Sequence, residues 1–255
     1  MPAETRHALI TGAALGIGAA VARRLADDGW ALLLLDRNGD ALAALADECR
    51  TRGARATALC AELGPGEHWL PPLKAALGTF GYLDLLVNNA GVADENEPDD
   101  VAAWQRVMAI NLDAPFRLSA VCLLYLRDGG RIVNVASVLA RAGKIRNTAY
   151  CASKHGLLGY TKALALDLAP RGITVNAVLP GWVDTPMLQR ELGAQAAAVG
   201  TPVAQVLRNA RRQIPLKRFV QAEEVANLVH YLASPAAAGI TAQGLVVDGG
   251  YTCGM

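Results

Sequence analysis

No stretch of this sequence approaches the ~20 consecutive apolar residues that a membrane-spanning helix requires. The strongest run, A-L-L-L-L from Ala31, has the length of a strand. Cysteine is scarce: five residues, scattered and odd in number, with no C-x-x-C pair. That excludes a disulfide framework and fits free thiols in a reducing compartment. The four histidines (His7, His68, His155 and His230) are dispersed without metal-ligand spacing, so no metal site is expected. Charge of one sign is missing as well, since 24 Lys and Arg against 23 Asp and Glu leave a net charge of +1. Neither nucleic acid nor an anionic membrane is therefore expected as a partner. Internal repeats, low-complexity tracts and Pro/Gly/Ser linkers are absent too. The chain reaches a glycine motif by Gly12, which leaves no room for a signal peptide, and a cytoplasmic protein is the expectation.

Apolar residues, by contrast, make up 53% of the 255 positions and charged residues only 18%, the balance of a globular chain with a large core. Short apolar runs alternate with helical patterns. H-A-L-I-T-G, W-A-L-L-L-L-D, A-T-A-L-C-A-E, L-D-L-L-V-N-N-A-G, G-R-I-V-N-V-A-S, I-T-V-N-A-V-L-P-G and G-L-V-V-D-G-G read as strands. Several are apolar almost throughout, as parallel strands covered on both faces are. Helical stretches such as A-A-V-A-R-R-L-A-D-D-G lie between them and end on glycine. The alternation predicts an α/β protein, a doubly wound parallel sheet in a single domain over 1–255. A long helix with an apolar stripe is expected from about Trp104 to Leu126, and a second from Tyr150 to Ala169. One segment, 182–219, breaks the rhythm, being rich in Ala, Gln and Arg and punctuated by Pro and Gly. It follows a strand's carboxyl end, where open α/β sheets place their ligands, and reads as a lid or as a structural helical excursion.

T-G-A-A-L-G-I-G, from Thr11 to Gly18, follows the first strand and opens the first helix. Glycines there permit positive φ and let backbone N–H groups approach a pyrophosphate at a helix N-terminus. The spacing is G-x-x-x-G-x-G rather than the usual G-x-G-x-x-G, so the turn by itself is weak evidence. The second strand ends at Asp36, about 20 residues past the turn, the distance at which an acid reaches an adenosine ribose. That carboxylate favours NAD and repels a 2′-phosphate. Arg37 beside it is of the kind that binds such a phosphate. Because the glycine loop carries no basic residue, NAD is preferred and NADP remains possible.

Y-C-A-S-K places Lys154 four residues after Tyr150, one turn along the same helical face. A phenol ionises near pH ~10, too high for a base at neutral pH, and a neighbouring ammonium favours the phenolate. The pair thus reads as a tyrosine acid/base. With N-N-A-G (Asn88 to Gly91), Asn111, Ser137 and P-G-W-V-D-T-P from Pro180, in this order, the chain resembles the classical short-chain dehydrogenases/reductases over nearly its whole length.

The resemblance implies a Rossmann fold, a nicotinamide dinucleotide cofactor and a small alcohol or ketone substrate. It implies that Tyr150 exchanges the substrate hydroxyl proton and that Lys154 also binds the nicotinamide ribose. Ser137 would hold the substrate oxygen, and Asn111 a water linking Lys154 to solvent. Cofactor contacts are implied for Gly12, Leu15, Gly16, Ile17 and Gly18 in the glycine turn, and for Asp36 and Arg37 after the second strand. Glu62 and Leu63 follow the third strand, with Glu62 where the family usually has aspartate. Asn88, Ala90 and Gly91 complete the adenosine side, while Pro180, Gly181, Val183 and Thr185 lie toward the carboxamide. A homo-oligomer, usually a tetramer packed through the helices near Trp104–Leu126 and Tyr150–Ala169, also follows.

The segment between Ser137 and Tyr150 carries Arg141, Lys144 and Arg146, three cations of the kind that recognise an anion. Charged loops are most often solvated, and that reading stands ahead. Relatives that act on 3-hydroxybutyrate carry Gln, His and Lys around the carboxylate. Here Ala93 or Asp94, Leu139 and Asn147 occupy those places, which argues against that substrate. The expected activity is NAD(H)-dependent interconversion of a secondary alcohol and its ketone. The alternatives are an NADPH-dependent 3-oxoacyl or polyketide ketoreductase, to which the C-terminal part is similar, and an idle dinucleotide sensor.

Overall fold

A computed structural model describes residues 5–253. Its seven strands are β1 (His7–Thr11), β2 (Ala31–Asp36), β3 (Arg55–Cys60), β4 (Leu83–Asn88), β5 (Leu126–Val135), β6 (Thr174–Pro180) and β7 (Gly244–Val247). They form one sheet in the order β3-β2-β1-β4-β5-β6-β7, every neighbouring pair parallel. This is the doubly wound arrangement that the alternation of runs predicts. The chain winds outward from β1 in one direction and from β4 in the other. The reversal leaves a crevice at the carboxyl ends of β1 and β4, where such sheets bind ligands.

Successive residues of a strand point to opposite faces, and the core divides accordingly. Ile10, Leu32, Leu34 and Val87 pack beneath α1 (Gly16–Ala26), α2 (Gly39–Thr51) and α9 (Ala222–Ala233), against Val21, Leu25, Leu45, Val225 and Val229. Their neighbours Leu9, Leu33, Leu35 and Leu86 face α3 (Leu70–Phe80), α5 (Ala114–Cys122) and α6 (Thr148–Leu168), meeting Leu73, Leu77, Leu118 and Ala165. All four leucines of β2 are essentially inaccessible to solvent. Each contributes about 1.5–3 kcal/mol of burial, so the continuous apolar run is explained by two covered faces rather than by a membrane. No helix among the described residues is long and apolar enough to cross one.

The single helix expected from about Trp104 to Leu126 is in fact broken. α4 (Val101–Met108) passes into a π-helical turn, Ala109–Asp113, before α5 begins, and Leu126 already belongs to β5. Pro115 lies in the first turn of α5, where its missing N–H costs least. The widened turn carries Asn111.

Residues 182–219 hold α7 (Pro186–Ala198) and α8 (Val203–Gln213). These helices have an apolar cluster of their own, built from Leu188, Leu192, Val206, Ile214 and Phe219. Trp182 packs at its base, 6.1 Å from Phe219 and 5.6 Å from Tyr251 between ring centroids.

Candidate active site

The site begins with a tight turn. Gly12 and Gly16 both have positive φ, 61° and 56°. A Cβ at Gly12 would stand 2.8 Å from Ala90 Cα, and one at Gly18 would stand 2.2 Å from the Gly12 carbonyl oxygen. Leu15 opens α1, and no side chain caps the helix there. The turn therefore presents bare N–H groups at the positive end of α1, a cradle that fits a pyrophosphate. Two residues that motif reading passed over fix it in place. Thr11 Oγ1 accepts from the backbone N–H of Asn89 and of Ala90, each at 3.1 Å. Asn89 Nδ2 donates to the carbonyls of Thr11 and Gly12 at 2.9 and 3.0 Å. The second Asn of N-N-A-G was the signal available for this.

Asp36 ends β2 with both carboxylate oxygens engaged: Oδ2 accepts from Ala14 N at 3.0 Å and Oδ1 from Asn38 N at 2.9 Å. Arg37 and Glu62 pair with each other at 3.2 Å, both side chains 60% exposed. A pair so open to solvent is worth about 0–1 kcal/mol, so either side chain is readily turned. Leu63 is buried in the core beside Leu35 and Trp69. Asn88 is also interior: Nδ2 donates to Asn134 Oδ1 across β4 and β5 at 2.8 Å, while its Oδ1 is buried without a hydrogen-bond partner.

The four residues expected to carry the chemistry converge at the carboxyl ends of β4 and β5. Asn111 is locked by a reciprocal pair with Val92, accepting from Val92 N and donating to Val92 O, both at 2.9 Å. A further bond runs from its Nδ2 to Ser153 Oγ at 3.2 Å. Gly91 leaves the space between, because a Cβ there would lie 3.2 Å from Asn111 Oδ1 and 3.5 Å from Lys154 Nζ. Lys154 is only 4% exposed, and its ammonium donates to the Val135 carbonyl at 3.0 Å. Tyr150 lies one turn earlier on α6, with Lys154 Nζ 5.6 Å from its ring centroid and the Ser137 hydroxyl hydrogen-bonded to its phenol. Ser137 Oγ also accepts from Leu139 N at 3.1 Å, which holds the turn after β5.

The electrostatics differ from the spacing argument. Burial pushes the Tyr150 phenol up to about 12, the Glu191 and Cys151 charges add to the rise, and the Ser137 bond opposes it. Burial also brings the Lys154 ammonium down to about 8. In the chain alone desolvation is thus the largest influence on the phenol, and the Lys154 ammonium is directed at Val135. At neutral pH the site holds a protonated phenol, a proton donor.

Asn96 also escaped sequence reading. It is buried, its Oδ1 accepts from Ala149 N at 3.3 Å, and its Nδ2 donates to Thr148 Oγ1 at 2.7 Å. It caps the start of α6, where Asn147 makes no side-chain cap. Only its place in the folded chain shows this, since it is remote in sequence from the helix it caps.

On the opposite side, Pro180 ends β6 and Gly181 crosses Asp248 so closely that a Cβ would lie 2.7 Å from that residue's own. Val183 is buried and bridges to Val220, and Thr185 caps α7 by accepting from Leu188 N at 3.4 Å. Thr185 Cγ2 also faces the place of a Gly16 Cβ at 3.2 Å, so the turn meets the start of 182–219 here, while Ile17 packs against the core cluster. The three cations of the 138–147 segment all have partners. Arg141 donates to Gly244 O at 2.8 Å, Lys144 pairs with Glu191, and Arg146 pairs with Glu97 at 2.9 Å and Glu95 at 3.4 Å. His155 is exposed and bonds the Cys151 carbonyl, turned away from Tyr150.

Comparison with known proteins agrees with this geometry. A family model described as "Enoyl-(Acyl carrier protein) reductase" matches residues 12–252. A ketoacyl reductase of the monensin polyketide synthase from Streptomyces virginiae is 42% identical, the alignment covering 96% of this chain and 97% of that one. A cyclohexanol dehydrogenase from an Acinetobacter species is 36% identical, with coverage of 98% and 96%. Among solved structures, a single-substitution variant of actinorhodin polyketide ketoreductase with NADPH superposes with a TM-score of 0.90 at 36% identity, covering 97% of each chain. A seven-stranded parallel sheet, a glycine turn before α1 and a Ser–Tyr–Lys set at its carboxyl edge, together with these matches, show that the chain belongs to the short-chain dehydrogenase/reductase family of oxidoreductases.

Proposed function

We propose that the chain interconverts a secondary alcohol and its ketone with NAD(H), using Tyr150 as the acid/base. The observation that carries this reading is the Tyr150 phenol, hydrogen-bonded to Ser137 and backed by the buried ammonium of Lys154. The bound nicotinamide supplies the hydride donor or acceptor and, when oxidised, a positive charge. The chain's own residues do the rest. Ser137 donates to the substrate oxygen as charge develops on it. Tyr150 gives its proton to that oxygen in reduction and takes it back in oxidation. Lys154 favours the phenolate and holds the nicotinamide ribose, and Asn111, fixed by Val92, positions a water behind it. The bare N-terminus of α1 holds the pyrophosphate, with Gly91 and Ala90 on one side and Val183 and Thr185 on the other. Spectrophotometric turnover of secondary alcohols with NAD tests the reading, and no turnover of any alcohol or ketone would favour the idle sensor.

Asp36 supports NAD. Its carboxylate, held at the end of β2 by Ala14 N and Asn38 N, accepts from ribose hydroxyls and repels a 2′-phosphate. Wild-type kcat/KM should therefore favour NAD(H) by about tenfold or more, and Asp36→Ala should narrow the gap. Steady-state rates with both cofactors check this, and a wild-type preference for NADP(H) would contradict it. The second reading, an NADPH-dependent ketoreductase, draws on Arg37. Its weak, exposed pair with Glu62 leaves the guanidinium able to turn toward such a phosphate.

A further inference from the structure

The alcohol–ketone reading leaves the substrate's charge open, and the ion pairs at the rim bear on it. Two segments flank Tyr150, the 138–147 stretch that precedes α6 and the helix α7 that follows β6. Lys144 on the first and Glu191 on the second meet in an ion pair, and both are partly shielded from water, at 31% and 26% exposure. Leu188 and Leu192, flanking Glu191 on α7, are buried in the cluster of that segment, so the backbone that carries Glu191 is anchored. Lys144 belongs to the stretch that joins Ser137 to Tyr150, so the pair holds Glu191 against the chain that carries both site residues.

The other charges near this rim are also balanced or turned away. Asp94 pairs with Arg106, and Glu95 and Glu97 pair with Arg146. Arg141 reaches Gly244, which pairs with Ala177 in the middle of β6, so its guanidinium is drawn along the sheet away from the carboxyl edge. A substrate carboxylate would find each of these cations already engaged. It would also meet Glu191 as a like charge, and the attraction of Lys144 is spent on that residue.

We propose that the substrate is uncharged, and that the Lys144–Glu191 ion pair joining the two segments is the element that rejects a carboxylate-bearing alcohol. This rests on the alcohol–ketone reading and deepens it to a substrate class.

The test compares neutral alcohols with carboxylated counterparts of the same skeleton, cyclohexanol against 4-hydroxycyclohexanecarboxylate and 2-butanol against 3-hydroxybutyrate, at saturating NAD. Wild-type kcat/KM should be higher for the neutral member of each pair that is turned over. Glu191→Gln keeps the shape of the side chain and releases the Lys144 ammonium. It should raise the carboxylate-to-neutral ratio of kcat/KM about tenfold, the worth of one charge-assisted hydrogen bond, since any change at the Tyr150 phenol acts on both members alike. Adding Lys144→Gln to Glu191→Gln should abolish the gain, which a general loosening of α7 would not do. If Glu191→Gln fails to fold, Lys144→Gln alone decides, since an unpaired Glu191 should depress the carboxylate rate further. A wild type that prefers carboxylates, or variants that leave the ratio unchanged, would overturn the proposal. A wild type that turns over no alcohol or ketone at all would instead overturn the functional reading beneath it.

Discussion

Tyr150→Phe should lower kcat by about 10²- to 10⁴-fold, the usual contribution of a positioned general acid/base. Its affinity for NAD should stay within about twofold of wild type. The substitution removes one oxygen and leaves the ring, α6 and the packing of Lys154 in place. No other described proton donor stands where the phenol does. Ser137 is bonded to it and to Leu139 N, and Lys154 is turned to Val135. Ser137→Ala should also reduce kcat with little effect on NAD, whereas Lys154→Met should weaken both, because its ammonium serves the ribose as well. Cofactor titration by fluorescence, paired with steady-state rates, separates the three patterns.

Gly18→Ala should be the most damaging glycine-to-alanine change among the described residues. Gly18 has ordinary helical backbone, so conformational freedom is not what requires glycine there. The requirement is space. The added Cβ would stand 2.2 Å from the Gly12 carbonyl oxygen and 2.6 Å from Asn89 Nδ2, and the nearer of these is backbone that cannot swing aside. Relief must come from moving α1 away from the turn, at a cost of about 3 kcal/mol. That corresponds to a fall in Tm of about 6–12 °C for a chain of this size. The cradle at the start of α1 would be lost with it, so NAD affinity should fall too. Gly78 in α3 is the control: a Cβ there meets nothing within 4 Å, and Gly78→Ala should stabilise by about 0.5–1 kcal/mol through helix propensity. Thermal melts of both variants, with and without NAD, check the contrast.

The sheet was legible because its signals are local. Each of the seven runs from H-A-L-I-T-G to G-L-V-V-D-G-G overlaps a strand, although β5 begins at Leu126, before its run, and the leucines of β2 are buried on both faces as their unbroken pattern requires. The helix around Asn111 was not, since nothing in apolar periodicity distinguishes α-helical from π-helical turns, and the Asn111–Val92 bonds in that turn join residues distant in sequence. The site was legible as far as its motifs extend. Tyr150, Lys154, Ser137 and Asn111 meet as their order implies. Thr11, Asn89 and Asn96 escaped because their work is to hold backbone from a distant part of the chain. The state of the phenol escaped for another reason: i, i+4 spacing brings Lys154 near, but only the folded chain shows that Lys154 is buried and Tyr150 partly so.

The pH dependence of the rate tests the Tyr150–Lys154 pair most directly. Alcohol oxidation needs the phenol deprotonated and ketone reduction needs it protonated, so at saturating NAD and substrate oxidation should rise with pH. Reduction should fall over the same range. In the chain alone the phenol is held at about 12, chiefly by burial, and the oxidised cofactor and Lys154 add positive charge that favours the phenolate. The rise in oxidation should therefore come at an apparent pKa well below 12, and Lys154→Met, by removing one of those charges, should move it to higher pH. Oxidation that does not change between about pH 6 and about pH 10 in the wild type, or a rise that stays in place in Lys154→Met, would contradict the account.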